Sequence, residues 1–356
     1  MIQPQDKLGG RKAWWRKLIV SAAILAGVFL VPVVITNPYH LSVIIMIGFY
    51  SIIIIGLNLV LGNTGQISLG QSGFFGIGAY CSAIYCVYFG VNVWLAMLLA
   101  GFTAALFGYV VGFASVRLKG HYLAMATLGF GVIVTIILME WTTVTGGAGG
   151  FPEFIPNPSI GKFSFNTDTK FYFLVSAVVI IIYVCSSNVS NYRIGRALYA
   201  INRHEGAAEV LGVNPSKYKL KIFTLSAFYA GIAGGLFAHY STYIAPESFS
   251  FYLNIPLLCM VVVGGLGSVG GSILGTALLV LLPELIRFFS KIEALPKVVQ
   301  QAFGDYTYHL LAYGVLLMIF VVFIPKGLAG LLSNAFGRLT WKNRDTQGSL
   351  SNPGPS

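Results

Sequence analysis

Only one stretch of this sequence suggests covalent chemistry. Gly70-Gln71-Ser72-Gly73 sets a serine between glycines, and His239 lies in a later apolar run. A serine hydroxyl becomes a nucleophile when a base adjoins it. An intramembrane serine protease of this pattern would want glycines just after the histidine; Tyr240 and Ser241 stand there instead. His239 therefore reads as a packed or interfacial residue, and proteolysis is a remote rival. His40, His121, His204 and His309 are isolated, so no metal site is expected. Cys81, Cys86, Cys185 and Cys259 sit inside apolar runs without pairing or ligand spacing and read as small packing residues. No G-x-x-x-x-G-K-S/T phosphate loop is present, so this chain is not expected to hydrolyse ATP by itself. No cofactor and no catalytic residue are expected.

The chemistry that the residue types do support is non-covalent. The stretch Asn58–Tyr80 reads NLVLGNTGQISLGQSGFFGIGAY and places Asn58, Asn63, Thr64, Gln66, Ser68, Gln71 and Ser72 among apolar residues. Polar groups are costly in hydrocarbon unless paired or wet. Gly62, Gly65, Gly70, Gly73, Gly76 and Gly78 allow either close helix approach or a broken helix. One reading is hydrogen-bonded helix packing. The other is a discontinuous helix lining a substrate path, with free backbone groups facing a zwitterion. The density of polar residues favours the second, with Asn58, Gln66, Ser68, Gln71, Ser72 and Thr127 as the path residues. A weak echo follows: residues 60–67 overlay 262–269, with Gly62 on Gly264, Gly65 on Gly267 and Gln66 on Ser268. Both 62–72 and 264–271 are candidates for re-entrant or broken segments.

The elements that must position these residues follow from composition. Of 356 residues, 9% are charged and 56% hydrophobic, with a mean hydropathy of +0.79. Soluble domains carry roughly 25% charged residues, so the chain reads as an all-helical polytopic membrane protein. Apolar runs predict about ten spans, near 18–36, 41–61, 67–90, 93–116, 121–139, 171–187, 221–243, 253–267, 270–290 and 305–324. The first run follows Arg11, Lys12, Arg16 and Lys17 and lacks a cleavage site, so it reads as a retained span. Trp14 and Trp15 sit where interface anchors belong.

The net charge of +11 invites a nucleic-acid reading, but the basic residues occupy short segments between apolar runs. Ten crossings put residues 1–17, the 117–119 turn, 188–220 and the C-terminal tail on one side. With Lys221, that side holds 17 of the 22 Lys and Arg, which makes it cytoplasmic. The expected layout is a cytoplasmic tail at 1–17, a permease domain at 18–340 with an external loop at 140–170, and a disordered cytoplasmic tail at 341–356. Ten of the eleven acids fall in loops or at span ends, with Glu284 inside the 270–290 run, which disfavours an ion-coupled secondary transporter.

Within 191–221, Leu198, Ile201, Ala208 and Leu211 can line one face of a short amphipathic helix, while Arg203, His204, Glu205 and Glu209 are polar. Gly212 and Pro215 then stop it. Such a helix suits a membrane surface or a soluble partner equally.

These residues resemble the LivM-type permease subunits of branched-chain amino acid ABC importers. The matching stretches are GLNLVLGNTGQISLGQSGFFGIGAY at 56–80, GHYLAMATLGFG at 120–131, TGGAGGF at 145–151, the segment 195–238, VVVGGLGSVGGSILGTAL at 261–278 and FIPKGLAGL at 323–331. The resemblance implies a multi-pass inner-membrane protein working with a sister permease, two cytoplasmic ATPase subunits and an external binding protein. Its cargo would be a branched-chain amino acid, with urea or short amides as the alternative. It also implies that residues 195–215 form the ATPase-coupling helix. The importer motif E-A-A-x-x-x-G is matched at Ala207, Ala208 and Gly212, while Gly206 replaces its glutamate and Glu205 lies one position earlier. Leu198, Ile201, Arg203, Glu205, Ala207, Ala208 and Gly212 are the coupling candidates, with Leu198, Ile201 and Leu211 as apolar anchors in a groove of the ATPase.

Overall fold

The computed structural model describes residues 37–115, 118, 120–161 and 163–290, together with Pro32, Gly314, Met318, Gly327, Leu328 and Gly330. Apart from those single residues, the spans expected at 18–36 and 305–324 and both terminal tails lie outside the described residues. The described chain is almost wholly helical; the exception is a hairpin of two short strands, β1 (Ser159–Ile160) and β2 (Phe163–Ser164).

Helix α1 (Pro38–Asn58) starts at a capping Asn37, whose side chain accepts from the Tyr39 amide at 3.0 Å, with Pro38 in the first turn. It continues as a π-turn over Leu59–Asn63. The chain is then non-helical from Gly65 to Gly70 and re-enters helix as α2 (Gln71–Val87). Helices α3 (Val93–Ser115), α4 (His121–Glu140) and α5 (Asp168–Asn191) follow. The amphipathic segment forms two short helices, α6 (Arg193–Arg203) and α7 (Glu205–Val210). Asn214 and Pro215 then start α8 (Pro215–Ser241). Helices α9 (Asn254–Gly264) and α10 (Val269–Ser290) are separated by a turn at Gly265–Ser268.

Six stretches among the described residues are helical, long and apolar enough to cross a membrane: Pro38–Asn63, α3, α4, α5, α8 and Pro246–Gly264. The run expected as a span at 67–90 yields a helix of 17 residues, because its first residues are spent on the non-helical Gly65–Gly70 link.

Lipid gives apolar faces no reason to seek one another, so small residues must let backbones approach. Helix α8 is the centre of this packing and lies between α2 and α3. A methyl group on Gly78 would fall on the backbone of Gly231, and one on Gly234 would fall on the carbonyl of Phe75. On the opposite side a methyl group on Gly231 would fall on the Ala104 side chain and 3.0 Å from the Ala100 carbonyl. Aromatic rings fill the space around this trio: Phe75 meets Phe237 and Phe249 at 5.4 and 5.1 Å between centroids. Leu95, Phe102, Leu106 and Phe113 of α3 point outward, as lipid-facing residues do.

Candidate functional site

Two breaks in the helical fold face each other. The first is the π-turn and link at 59–70, the second the Gly265–Ser268 turn. Gly65 and Gly267, which overlay in the sequence echo, both have positive φ, at 70° and 77°. The two segments dock directly: a methyl group on Gly62 would fall on the backbone nitrogen of Gly267. Asn58 clamps them. Its Oδ1 accepts from the Gly267 amide at 2.8 Å, and its Nδ2 reaches the carbonyls of Gly265 (3.2 Å) and Ser268 (2.9 Å) and the Ser272 hydroxyl (2.7 Å).

The other candidate path residues lie in the same buried polar band. Gln71 Nε2 donates to Ser226 Oγ on α8 at 3.0 Å. Thr127 Oγ1 accepts from the Leu69 amide at 2.9 Å, which ties the non-helical link to α4. Gln66 Oε1 accepts from Thr64 Oγ1 at 3.2 Å. Ser72 is held twice by Asn254, whose Oδ1 accepts from the Ser72 amide at 2.9 Å and whose Nδ2 donates to the Ser72 hydroxyl at 2.8 Å. Asn254 starts α9 and was not among the sequence candidates; a lone asparagine after an apolar run carried no spacing signal. Ser68 Oγ and Gln71 Oε1 are buried without a partner among the described residues. These two atoms are the unfilled hydrogen-bonding capacity of the band.

The protease pattern is not assembled. The Ser72 hydroxyl faces Asn254, while His239 Nδ1 lies 2.7 Å from the Pro156 carbonyl and Nε2 lies 2.9 Å from Ser82 Oγ. Because the carbonyl only accepts, Nδ1 carries the proton and Nε2 accepts from Ser82. Ser82 and His239 are both fully buried and each satisfies the other, so His239 is no base for Ser72. His239 instead pins the 150–158 loop to the bundle, together with bonds from the Phe151 amide to the Ile244 carbonyl (2.8 Å) and from the Ile155 amide to the Thr242 carbonyl (3.1 Å).

In the amphipathic segment the single helix expected over 195–215 is broken at the extended His204 into α6 and α7, and the expected common face of Leu198, Ile201, Ala208 and Leu211 does not form. Leu198 and Ile201 are buried within this chain and do not present the outward anchors assigned to them. Amphipathicity fixes which face is apolar but not what covers it. The most outward apolar residues are Val210, 89% exposed, and Leu211, 81% exposed, with Tyr199 and Ile194 of α6 also exposed. Ala208 is buried, Ala207 is exposed, and Gly212 turns the chain with φ of 81°. Arg203 lies over the Tyr199 ring at 5.2 Å and pairs with no carboxylate among the described residues. Glu205 pairs with Lys219 on α8 at 2.8 Å. A cavity of about 610 Å³ opens between this segment and the two breaks, lined by Gly62, Asn63, Ser190, Tyr199, Asn202, Arg203 and Leu266 among others.

Residues 39–324 match the family described as branched-chain amino acid transport system / permease component. The high-affinity branched-chain amino acid transport system permease protein LivM of Salmonella typhimurium is 35% identical over 306 residues, covering 80% of this chain and 68% of that protein. LivM of Escherichia coli is 35% identical over 302 residues, covering 78% and 67%. The permease protein LivH of Escherichia coli is 22% identical over 244 residues, covering 65% and 79%. No solved structure matches. With the family matched over most of its length, its apolar helices crossing a membrane several times and its polar groups gathered at two docked helix breaks, this chain belongs to the permease-component family of branched-chain amino acid transport systems.

Proposed function

We propose that this chain is the transmembrane permease subunit of an ATP-driven importer that takes up branched-chain or closely related amino acids. It works with a sister permease, as the likeness to both LivM and LivH suggests, with two cytoplasmic ATPase subunits, and with an external binding protein that delivers the cargo. The observation that carries the reading is the pair of docked helix breaks beside a charged amphipathic segment, in a chain without a phosphate loop of its own. A transporter needs irregular backbone where it handles a polar cargo, and a chain lacking an ATP site needs a surface on which a motor can act.

Ten spans place both termini and residues 188–220 in the cytoplasm and residues 140–170 outside, in an inner membrane. Asn58, Gln66, Ser68, Gln71, Ser72 and Thr127 border the translocation route. Ser68 and Gln71, with unfilled buried hydrogen-bonding atoms, are the best placed to meet cargo. Arg203, Glu205, Ala207 and Gly212, joined by the exposed Val210 and Leu211, form the ATPase-facing surface, with the buried Ala208 packed beneath it. Leu198 and Ile201 hold that surface to the permease. The test is uptake of labelled leucine in a strain lacking this chain, with and without plasmid rescue and with unlabelled competitors. Restored uptake inhibited by isoleucine and valine supports the reading. Inhibition by urea or short amides instead moves the cargo to that class, and no rescue of any uptake refutes it.

A further inference from the structure

We infer that Asn202 is the positioning residue that ties the coupling segment to the two helix breaks, so that movement of the one is delivered to the other. This rests on the proposed role of residues 203–212 as the ATPase-facing surface.

The local geometry starts from an orphaned carbonyl. A helix end leaves its last carbonyls without intrahelical donors. At the first break the Gln66 amide turns back to the Val60 carbonyl at 3.2 Å and the Gly65 amide to that of Leu61 at 3.1 Å. Asn202, one residue before the end of α6, donates from Nδ2 to the Gly62 carbonyl at 3.0 Å. The same Gly62 abuts Gly267, whose amide Asn58 holds. Asn202, Gly62, Gly267 and Asn58 thus form an unbroken line from the surface segment through the first break to the second.

The surroundings make this link the sensitive one. Gly195 packs so closely on the end of α5 that a methyl group there would strike the Ser190 backbone. The start of α6 is therefore fixed to α5, and its far end, where Asn202 sits, has the longer arc. The 610 Å³ cavity runs the length of α6, from Ser190 and Gly195 to Asn202 and Arg203, and leaves the junction with the breaks room to change shape. A directional amide bond across such a gap transmits a displacement that a sliding apolar contact would not. Coupling requires contacts that differ between two states, and a single bond to a helix-break carbonyl is a contact that can be made in one and lost in the other.

The test uses the complete complex of this chain with its sister permease and ATPase, reconstituted in liposomes with the binding protein. Asn202→Asp removes the donor and keeps the shape; Asn202→Gln keeps an amide donor. A cysteine at exposed Leu266, with Cys81, Cys86, Cys185 and Cys259 replaced, reports on the second break through its maleimide labelling rate with and without ATP plus vanadate. Linked sites couple by about 5–150-fold, so Asn202→Asp should lower amino acid uptake per ATP hydrolysed by about fivefold or more. It should also abolish the nucleotide dependence of labelling and leave ATPase co-purification unchanged, while Asn202→Gln retains part of both. The inference is overturned by an Asn202→Asp complex that keeps its uptake per ATP and its labelling response. It is equally overturned by loss of ATPase co-purification, which would make Asn202 a docking contact, and by a parent chain whose labelling ignores nucleotide. A parent complex that moves no amino acid sinks the permease reading itself and this inference with it; a transporting parent with indifferent variants sinks only the inference.

Discussion

Replacing Asn58 with leucine tests whether this residue is a clamp or a path residue. In the structure its Oδ1 is the partner of the Gly267 amide, and leaving that donor unsatisfied costs about 1–3 kcal/mol. Its Nδ2 has two hydrogens to distribute among three acceptors at 2.7–3.2 Å, so two net bonds of about 0.5–1.5 kcal/mol each are also lost. The acceptors are not orphaned, because the Ser268 amide still reaches the Gly265 carbonyl at 3.2 Å and the Ser272 amide the Ser268 carbonyl at 3.1 Å. Leucine recovers part of the loss through its apolar surface, leaving a destabilisation of about 2–4 kcal/mol. At roughly 2–4 °C per kcal/mol for a medium-sized domain, the thermal midpoint should drop by about 4–16 °C. The assay is the fraction of detergent-solubilised protein remaining monodisperse after heating, with Ser272→Ala as a milder control that removes one acceptor. An unchanged midpoint together with lost uptake would refute the clamp and leave Asn58 with its place on the translocation route alone.

Further outcomes are open to measurement. Gly78→Ala should abolish stable insertion, since its methyl group meets the Gly231 backbone where no side chain can yield; normal expression would show that α2 and α8 can separate. His239→Phe removes the tie to the Pro156 carbonyl, so limited proteolysis within 150–165 should speed by tenfold or more if the tie is worth about 1.5 kcal/mol; an unchanged rate would mean that Phe151 and Ile155 hold the loop alone. Single cysteines at Val210 and Phe154, 89% and 71% exposed, should label from opposite sides of the membrane in a cysteine-free background, and labelling of both from outside would sink the ten-span layout. Arg203→Glu with Gly206→Trp should lower ATPase co-purification while the chain still inserts, because nothing lies within 4 Å of a methyl group on Gly206; normal association and transport would move the ATPase contact elsewhere.

The helices were legible where one-dimensional hydrophobicity is enough to specify them. The ends of α3 and α4 fall within about a residue of the apolar runs, because Gly120 and the polar residues after Ser115 leave no other place to stop. Pro215 reads in the sequence as a stop for the amphipathic segment, whereas behind the capping Asn214 it opens α8. What escaped the sequence was pairing across distance. Asn58 and Ser68 look alike as polar residues in an apolar run, yet one makes contacts on both its polar atoms and the other makes none among the described residues. The glycine echo signalled two similar breaks, and the sequence held no sign that they dock on each other. Leu198 and Ile201 illustrate the same gap: periodicity put them on an apolar face, and only the fold reveals that the face turns inward.

The Asn58 clamp also has a consequence in time. Its partners lie 207 to 214 residues further along the chain. At about 5–20 residues per second, a ribosome needs on the order of 10–40 s to make that intervening length. During that interval the first break is already made while its clamp has nothing to hold, and an unpaired amide in lipid is costly. Insertion machinery or the aqueous face of the membrane must shelter it until the second break emerges. Slowing translation between residues 63 and 265 should therefore raise degradation of the nascent chain, and Asn58→Leu should relieve that sensitivity even as it weakens the finished protein.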